Sequence, residues 1–446
     1  MTTRPPTRRR LRLIVPILVV LVLIFLATTD NAAIWPLRNT LAYQLTHWWE
    51  AHMGATQPAG MAELRGCVRG AAGELLPSAT VLVSERDGAV HLATMDAGGC
   101  YQLGVPAGHY VPIASAPGYA ERAIRAWGLP LRLGAGEQRA LDIVLSPASL
   151  PALRPGAELQ IGAPITLTWS LPKPSVAVRR QITYVSGGRP NQLSFLYTPG
   201  GAGTAPLPTL LAVYPGPADL WEGMSIPLAA AGYAVVAVGP AYALDLEDDI
   251  AELRRLVAFA RAGLLPGADG RRIAVLGGSY SSLHVQRLVA GDAGFRGVVL
   301  LGAASDLFDL RRRFEQGTFH PPFGLDQALI ALGTPDTSPE RYWRYSSRLH
   351  LRRDLPPILL MHSRSDEVVP VEQSELLAAE LDRLGVRHEA HFFDGMSHYL
   401  LADRPSDDLD RLYSITTDFL RRTLAPNDLF TSPNHHRTSL VCYAGG

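Results

Sequence analysis

The spacing of hydrophobic residues divides this 446-residue chain into three regions. Near the start, "LIVPILVVLVLIFLA" (13–27) is continuously apolar. Between residues 63 and 147, short stretches such as "ATVLVSE" and "CYQLGV" alternate apolar with polar positions and are separated by glycine-containing turns. Alternation with a period of two is typical of half-buried β-strands. This region therefore predicts a small antiparallel β-sandwich.

The third region, residues 176–424, carries continuous apolar runs with helical patterns between them. Continuous apolarity indicates strands buried on both faces, as in a parallel sheet covered by helices. Between the runs, "DIAELRRLVAFA" (249–260) has one apolar stripe at helical spacing. The sequence thus predicts a doubly wound α/β domain. Its predicted strands are "PTLLAVYP" (208–215), "YAVVAVGP" (233–240), "RRIAVLGG" (271–278), "GVVLLGAAS" (297–305) and "PPILLMHS" (356–363).

Five arginines precede the first apolar run, and we interpret that run with its flanks as a transmembrane anchor over residues 11–29. Because positively charged flanks stay on the cytoplasmic side of a membrane, residues 1–10 are expected in the cytoplasm. The chain after residue 29 is then expected on the outer side of the cell membrane. A cleaved signal peptide is the alternative, but Asp30 or Asn31 would then occupy a position before the cleavage site that requires a small residue. Residues 30–62 form a linker, in which Trp48 and Trp49 either lie near the membrane surface or pack against protein.

Composition excludes some classes of protein. The formal net charge is zero, so no basic field is available to bind nucleic acid. The three cysteines have no spacing typical of a metal site, and we expect neither a metal nor a cofactor. Cys67 and Cys100 both fall at outward-facing positions of the predicted sandwich, where they either form a disulfide or remain free thiols.

One serine has the sequence context of a nucleophile. Ser279 follows a buried run and precedes a helix, and a sharp turn of this kind projects its Oγ out of the sheet. Asp366 and His398 come later, each in a loop after a predicted strand. The chain order serine, acid, histidine is that of α/β hydrolases. Asp306 and Glu367 are alternatives for the acid.

Two resemblances add to these patterns. Residues 63–147 resemble the carboxypeptidase regulatory-like domain, a transthyretin-like sandwich, in "GCVRGAAGELLPSATVLV", "TMDAGGCYQLGVPAGHYVPIASAPGY" and "LDIVL". That resemblance implies a domain without catalysis that serves spacing or binding, followed by a linker over residues 148–175. Residues 176–424 resemble the prolyl-oligopeptidase family of serine hydrolases in "ITYVSGGRPNQLSFLYTP", "GGSYSS", "HSRSDEVVPVEQSELLAAEL" and "FFDGMSHYL".

The second resemblance implies roles for individual residues. Ser279 is the implied nucleophile, His398 the general base and acid, and Asp366 the group that orients the imidazole. Ser281 stands where the family has glycine, and its small side chain is expected to leave the turn intact but more crowded.

The implied oxyanion donors come from a narrower likeness. "YPGP" (214–217) matches the Tyr-x-Gly-Pro of the dipeptidyl-peptidase-like branch. This match implies that the Tyr214 hydroxyl and the backbone N–H of Tyr280 bind the oxyanion. The alternative for Tyr214 is packing at the top of the sheet.

As a whole, the sequence predicts a membrane-anchored extracytoplasmic serine hydrolase, first of all a serine-type peptidase that forms an acyl-enzyme. A carboxylesterase with the same triad is one alternative, and a non-catalytic surface-binding protein is another. The expected partners are a peptide or ester substrate and the membrane, with no nucleic acid. The β-propeller of the family's peptidases has no counterpart here, so their dipeptide specificity does not carry over. Residues 307–346 are expected to form a helical cap whose Arg311–Arg313 lie in solvent or near an anionic group, and residues 425–446 a polar tail.

Overall fold

The computed structural model describes residues 34–53, 60–148, 159–186, 189–201, 203, 205–240, 246–292, 294–322, 324–399 and 404–425. The predicted cytoplasmic segment and anchor (1–29) and the tail beyond residue 425 lie outside the described residues. Within the described ranges, no helix is long and apolar enough to cross a membrane. The chain divides into two units, Met1–Pro147 with Arg311–Arg341, and Ala148–Leu310 with Tyr342–Gly446.

Short strands dominate the first half of the chain, and helices alternate with strands in the second half. The strands are β1 (Met61–Gly70), β2 (Thr80–Ser84), β3 (Val90–Leu92), β4 (Thr94–Met95), β5 (Cys100–Pro106), β6 (Gly108–Tyr110), β7 (Ile113–Ser115), β8 (Arg122–Ala123), β9 (Leu131–Leu133), β10 (Gln138–Ala140), β11 (Ile143–Leu145), β12 (Gln160–Ile161), β13 (Ile165–Trp169), β14 (Ser175–Thr183), β15 (Val185–Ser186), β16 (Arg189–Pro190), β17 (Ser194–Pro199), β18 (Leu207–Val213), β19 (Ala234–Val238), β20 (Ala268–Gly278), β21 (Gly297–Leu301), β22 (Ile358–Ser363) and β23 (His388–Phe393). The α-helices are α1 (Trp35–Met53), α2 (Glu222–Ala230), α3 (Glu247–Arg261), α4 (Ser281–Ala290), α5 (Leu307–Glu315), α6 (Leu325–Ala331), α7 (Pro339–Arg344), α8 (Glu372–Leu384) and α9 (Asp407–Thr423). Ala218–Trp221 and Ser347–His350 are short 3₁₀ helices.

The first unit contains the predicted sandwich. One main sheet has the order β10-β1-β5-β4 with β11 also on β1, and the other has the order β3-β2-β7-β8. Alternate residues of β5, among them Tyr101, Leu103 and Val105, point into a shared apolar core. β10 and β11 pair with β1 in parallel, which differs from the purely antiparallel sandwich that the alternation predicts.

The first unit also includes the segment 311–341, which the sequence placed in a cap of the second domain. The segment is helical, as expected. The Asn39 side-chain amide on α1 donates to the Ala331 carbonyl at 2.8 Å. On the sandwich, the Ser84 hydroxyl donates to the Pro335 carbonyl, also at 2.8 Å. These hydrogen bonds tie the segment to α1 and to β2.

Of the two alternatives for the arginine run, the solvated one does not hold for Arg311. Its side chain is fully buried and forms an ion pair with Glu315 one turn later on α5. Its guanidinium also donates to the Leu329 carbonyl at 3.1 Å. The charge of this buried arginine is therefore paired within its own helix.

The second unit is built on a ten-stranded sheet with the order β12-β14-β17-β19-β18-β20-β21-β22-β23, and β13 on β14. The strands from β19 to β23 in this order are parallel, and the five predicted runs supply five of them, which confirms the α/β architecture. Residues of α2 and α9 share one core with Leu210 and Ala212 of β18. α4 packs on the opposite face, where a Cβ at Gly277 would lie 2.6 Å from Val285. Because these strands are parallel, their carboxyl ends lie at the same edge of the sheet.

Candidate active site

The turn between β20 and α4 positions Ser279. Ser279 has φ +51°, a backbone angle that side-chain-bearing residues rarely adopt. Its N–H donates to the Leu301 carbonyl at the end of β21, at 2.9 Å. A strained turn of this kind, held by the neighbouring strand, aims Oγ away from the sheet edge, as the nucleophile elbow of an α/β hydrolase requires.

Ser281 stabilises this turn. It is fully buried, and its Oγ accepts a hydrogen bond from the Gly278 N–H at 3.0 Å and donates to the Val213 carbonyl at 2.6 Å. The sequence predicted only tolerance of a serine in place of glycine. In the structure the hydroxyl instead links the elbow to the end of β18.

The structure brings together the three residues predicted for catalysis. His398 Nε2 lies 2.9 Å from Ser279 Oγ, and His398 Nδ1 lies 2.8 Å from Asp366 Oδ2. A carboxylate accepts only, so Nδ1 carries the proton and Nε2 is left to accept the Ser279 proton. Ser279, His398 and Asp366 thus have the contacts that a nucleophile, its general base and an orienting acid require.

Asp366 is held on both of its oxygens. Oδ1 accepts from the backbone N–H groups of Val368 and Val369, at 2.9 and 2.7 Å. Burial opposes ionisation, but hydrogen bonds from His362, His398 and the Val369 backbone outweigh it and hold the pKa of the Asp366 carboxyl well below its usual range. The carboxylate is therefore charged when His398 takes a proton.

His362 is a residue that the sequence analysis missed. It is fully buried at the end of β22, with Nε2 at 3.0 Å from the Val369 carbonyl and 3.3 Å from Asp366 Oδ2. The Ser374 hydroxyl lies 2.7 Å from Nδ1. The available signal was a histidine inside an apolar strand, four residues before the acid.

The two alternatives for the acid have other roles. Asp306 accepts from Arg348 Nε at 2.8 Å and from the Phe308 N–H at 3.0 Å, so it caps the start of α5. Glu367 accepts from the Ser397 hydroxyl at 2.5 Å and from the His398 backbone N–H at 3.1 Å. These two hydrogen bonds lower the pKa of Glu367. The neighbouring carboxylates Asp366 and Glu367 thus hold His398 by its ring and by its backbone.

Tyr214 has the packing role that the sequence left as the alternative. Its side chain is buried, its hydroxyl lies 2.9 Å from the Ser225 hydroxyl, and its ring stacks on Trp221 at 5.2 Å between centroids. Burial raises the pKa of the hydroxyl. Tyr214 points to the sheet face that carries α2, because it shares the core of Leu210 and Ala212. The hydroxyl is therefore engaged by Ser225 in the core, which favours the packing alternative over the expected oxyanion role.

The loop after Tyr214 has few backbone N–H groups that could bind the oxyanion instead of the Tyr214 hydroxyl. Pro215 and Pro217 have no N–H, and the Gly216 N–H donates to the Tyr214 carbonyl at 2.9 Å. Tyr280 follows the nucleophile directly and is the N-cap residue of α4. Its backbone N–H remains the predicted oxyanion donor, at a helix end that favours negative charge.

Within the described part of the chain, no group of histidine, cysteine, aspartate and glutamate side chains is arranged to hold a metal ion. The chemistry available at this edge of the sheet is nucleophilic attack by Ser279 assisted by His398. Gly302, at φ +54°, leaves room for the Asp366 carboxylate, because a Cβ at this position would lie 3.2 Å from Asp366 Oδ2.

Comparison with known proteins agrees with this geometry. Residues 257–427 match the prolyl oligopeptidase family, and residues 63–146 match the carboxypeptidase regulatory-like domain. A stretch of 155 residues is 26% identical to "Uncharacterized peptidase YuxL" of Bacillus subtilis (strain 168), and this match covers 34% of the chain and 23% of that relative. The chain thus spans about a quarter of the length of this relative.

Among solved structures, a hyperthermophilic esterase from the archaeon Pyrobaculum calidifontis is 18% identical with a TM-score of 0.46, and the match covers 55% of this chain and 86% of the esterase. A thermostable esterase from Pseudomonas putida is 18% identical with a TM-score of 0.45, over 56% of this chain and 84% of that one. The chain thus carries a region that matches the carboxypeptidase regulatory-like domain, followed by a region that matches the prolyl oligopeptidase family and contains the Ser279–His398–Asp366 triad.

Proposed function

We propose that the chain is a membrane-anchored, extracytoplasmic serine peptidase that works through an acyl-enzyme. The observation that carries the catalytic part is the continuous path from Asp366 through His398 to Ser279, with contacts of 2.8 and 2.9 Å. The match of residues 257–427 to the prolyl oligopeptidase family supports a peptide substrate.

The triad can carry out the whole reaction. Ser279 Oγ attacks the carbonyl carbon while its proton passes to His398 Nε2, and the Asp366 carboxylate stabilises the imidazolium. His398 then gives that proton to the leaving amine nitrogen as the C–N bond breaks, which leaves an ester on Ser279. A water molecule, deprotonated by His398, attacks this ester, and the acid product and free Ser279 result.

Labelling tests the nucleophile, and turnover assays test the substrate class. A fluorophosphonate should label the full chain and the control Ser414→Ala, which changes an exposed serine of α9, but not Ser279→Ala. Turnover of aminoacyl and prolyl nitroanilides beside p-nitrophenyl esters then separates peptidase from esterase. Hydrolysis of esters alone would favour the carboxylesterase alternative, and labelling that persists in Ser279→Ala would remove Ser279 from the mechanism.

Location outside the membrane is supported by the sequence before residue 30 and by a bond in the sandwich. Cys67 on β1 lies opposite Cys100 on β5, and the two form a disulfide. Disulfides persist mainly in oxidising, extracytoplasmic compartments. Protease added to sealed, right-side-out membrane vesicles should digest the catalytic domain. A protected domain would contradict this location, and a mature chain that lacks residues 1–30 would favour the signal peptide.

A further inference from the structure

α1 has two sides of opposite character. Trp35, Asn39, Tyr43 and His47 recur at four-residue spacing and form one side. The guanidinium of Arg341 lies 3.9 Å from the Trp35 ring, and His47 lies 3.6 Å from Glu315. This side is therefore occupied by the segment 311–341 of the same unit.

The other side is apolar and exposed. At about 100° per residue, Leu37, Leu41, Leu45 and Trp48 project within about 80° of one another and roughly opposite the occupied side. These four side chains and Trp49 are between 42% and 67% exposed. A soluble helix normally buries its apolar stripe and turns its polar residues outward, so α1 has the reverse arrangement. We call Leu37, Leu41, Leu45, Trp48 and Trp49 the outer ridge.

The basic and acidic residues of α1 lie on different sides of the helix. Arg38 and His52 lie on the side of the outer ridge, whereas Glu50, the one acidic residue of α1, faces the other way and pairs with Arg86. Leucine and tryptophan flanked by basic residues is the composition of helices that lie in the interface of an anionic bilayer. The outer ridge of a second protein copy would bring no acidic residue of α1 to meet Arg38.

The chain before α1 brings the helix to such a surface. Five residues, 30–34, separate the end of the predicted anchor at residue 29 from Trp35, and the six steps from residue 29 to residue 35 span at most about 22 Å. α1 itself is about 28 Å long. We propose that α1 lies flat on the outer surface of an anionic membrane, with its outer ridge inserted among the lipid headgroups and its other side bound to the segment 311–341. This inference rests on the membrane anchoring proposed above.

Tryptophan fluorescence in vesicles tests the inference. The full chain is reconstituted into vesicles of phosphatidylcholine and phosphatidylglycerol, with or without bromine on the acyl chains. Brominated lipid should quench the wild type, and the double variant Trp48→Phe/Trp49→Phe should lose at least about half of that quenching. Trp127→Phe, which removes an exposed tryptophan of the sandwich, is the matched control and should keep it. Leu41→Ser/Leu45→Ser, with both tryptophans present, should also reduce the quenching.

Flotation of the same samples separates this inference from the anchoring itself. A chain that floats with the vesicles, but whose quenching does not depend on Trp48 and Trp49, retains the anchor and overturns the position of α1. Cross-linking between chains through the outer ridge would identify a second copy as its occupant and would also overturn the inference. A chain that does not float overturns both proposals. Fluorophosphonate labelling of Ser279 shows that the second unit of each variant is folded, and the melting temperature of each variant reports on the first unit.

Discussion

At the scale of single residues, His398 depends on two adjacent carboxylates. Asp366 bonds its ring, and Glu367 bonds its backbone and the hydroxyl of Ser397. The Ser397 hydroxyl also accepts from the Tyr399 N–H at 3.1 Å, so these contacts fix the loop on both sides of His398. Glu367 is thus a positioning residue for the catalytic base.

Removal of Glu367 should slow catalysis without unfolding the domain. Because small displacements of a base are costly, Glu367→Ala should lower kcat/KM by roughly tenfold to a hundredfold. Glu367→Gln keeps an acceptor oxygen, so its kcat/KM should lie between those of the wild type and Glu367→Ala. The melting temperature should change little, since the carboxylate is near the surface. Glu375→Ala, which removes another exposed carboxylate of the same unit, is the control. An unchanged kcat/KM in Glu367→Ala would show that the loop holds His398 without it.

Tyr214→Phe separates packing from catalysis. The substitution leaves the buried Ser225 hydroxyl without its partner, which should cost about 1 to 3 kcal/mol of unfolding free energy. Because the hydroxyl is turned into the core, kcat should stay within a few-fold of wild type on one activated ester and one amide. A loss of about 10²- to 10³-fold in kcat with KM unchanged would restore Tyr214 as an oxyanion donor.

The triad could be read from the sequence because each member has a local signal. Ser279 sits at a strand-to-helix turn, and Asp366 and His398 follow predicted strands. Two residues around the triad, Glu367 and Tyr214, have no such local signal for their contacts. Glu367 meets Ser397 thirty positions away, and the orientation of Tyr214 depends on the face to which its strand end points.

At the scale of elements, the disulfide joins the neighbouring strands β1 and β5. It closes a loop with a sequence separation of 33 residues. Outward parity was predictable for both cysteines, but their pairing required the register that sets Cys67 opposite Cys100.

Loss of this bond should weaken the first unit alone. Cys67→Ala/Cys100→Ala should lose about 3 to 4 kcal/mol of the unfolding free energy of the sandwich, because the unfolded chain is no longer restricted. Fluorophosphonate labelling of Ser279, in the other unit, should continue. Calorimetry of the double variant beside Cys442→Ala, which keeps the bridge, measures the effect. Identical melting of the two variants would argue that the bridge contributes no stability.

The parallel strands were the most predictable elements, because burial on both faces leaves a continuous apolar run. The parallel pairing of β10 and β11 with β1 was not predictable, since alternation reports which face a residue takes and not the direction of its neighbour. The grouping of residues 311–341 with the first unit was equally hidden, because it depends on contacts such as that between Asn39 and Ala331.

At the scale of the whole molecule, the lowered pKa of Asp366 sets a pH dependence. A carboxyl whose folded pKa lies below its unfolded value of about 3.9 stabilises the fold above that value and loses this contribution as the pH falls through the folded pKa. The difference in unfolding free energy between the wild type and Asp366→Asn should therefore stay constant from about pH 8 to about pH 5 and shrink below about pH 4. Urea unfolding of both proteins across this range measures it. A difference that already shrinks near neutral pH would show that the carboxyl is not held in its charged form.

The first unit is assembled from two separated stretches of chain, Met1–Pro147 and Arg311–Arg341. Trp35 contacts Arg341, and Asn39 contacts Ala331. During translation, Ala331 and Arg341 have not yet been synthesised when the sandwich leaves the ribosome, because they are encoded far downstream. Until residue 341 has emerged, the side of α1 that carries Trp35 and Asn39 therefore remains uncovered in the nascent chain. A gene fragment that stops at residue 147 leaves that side permanently without its cover.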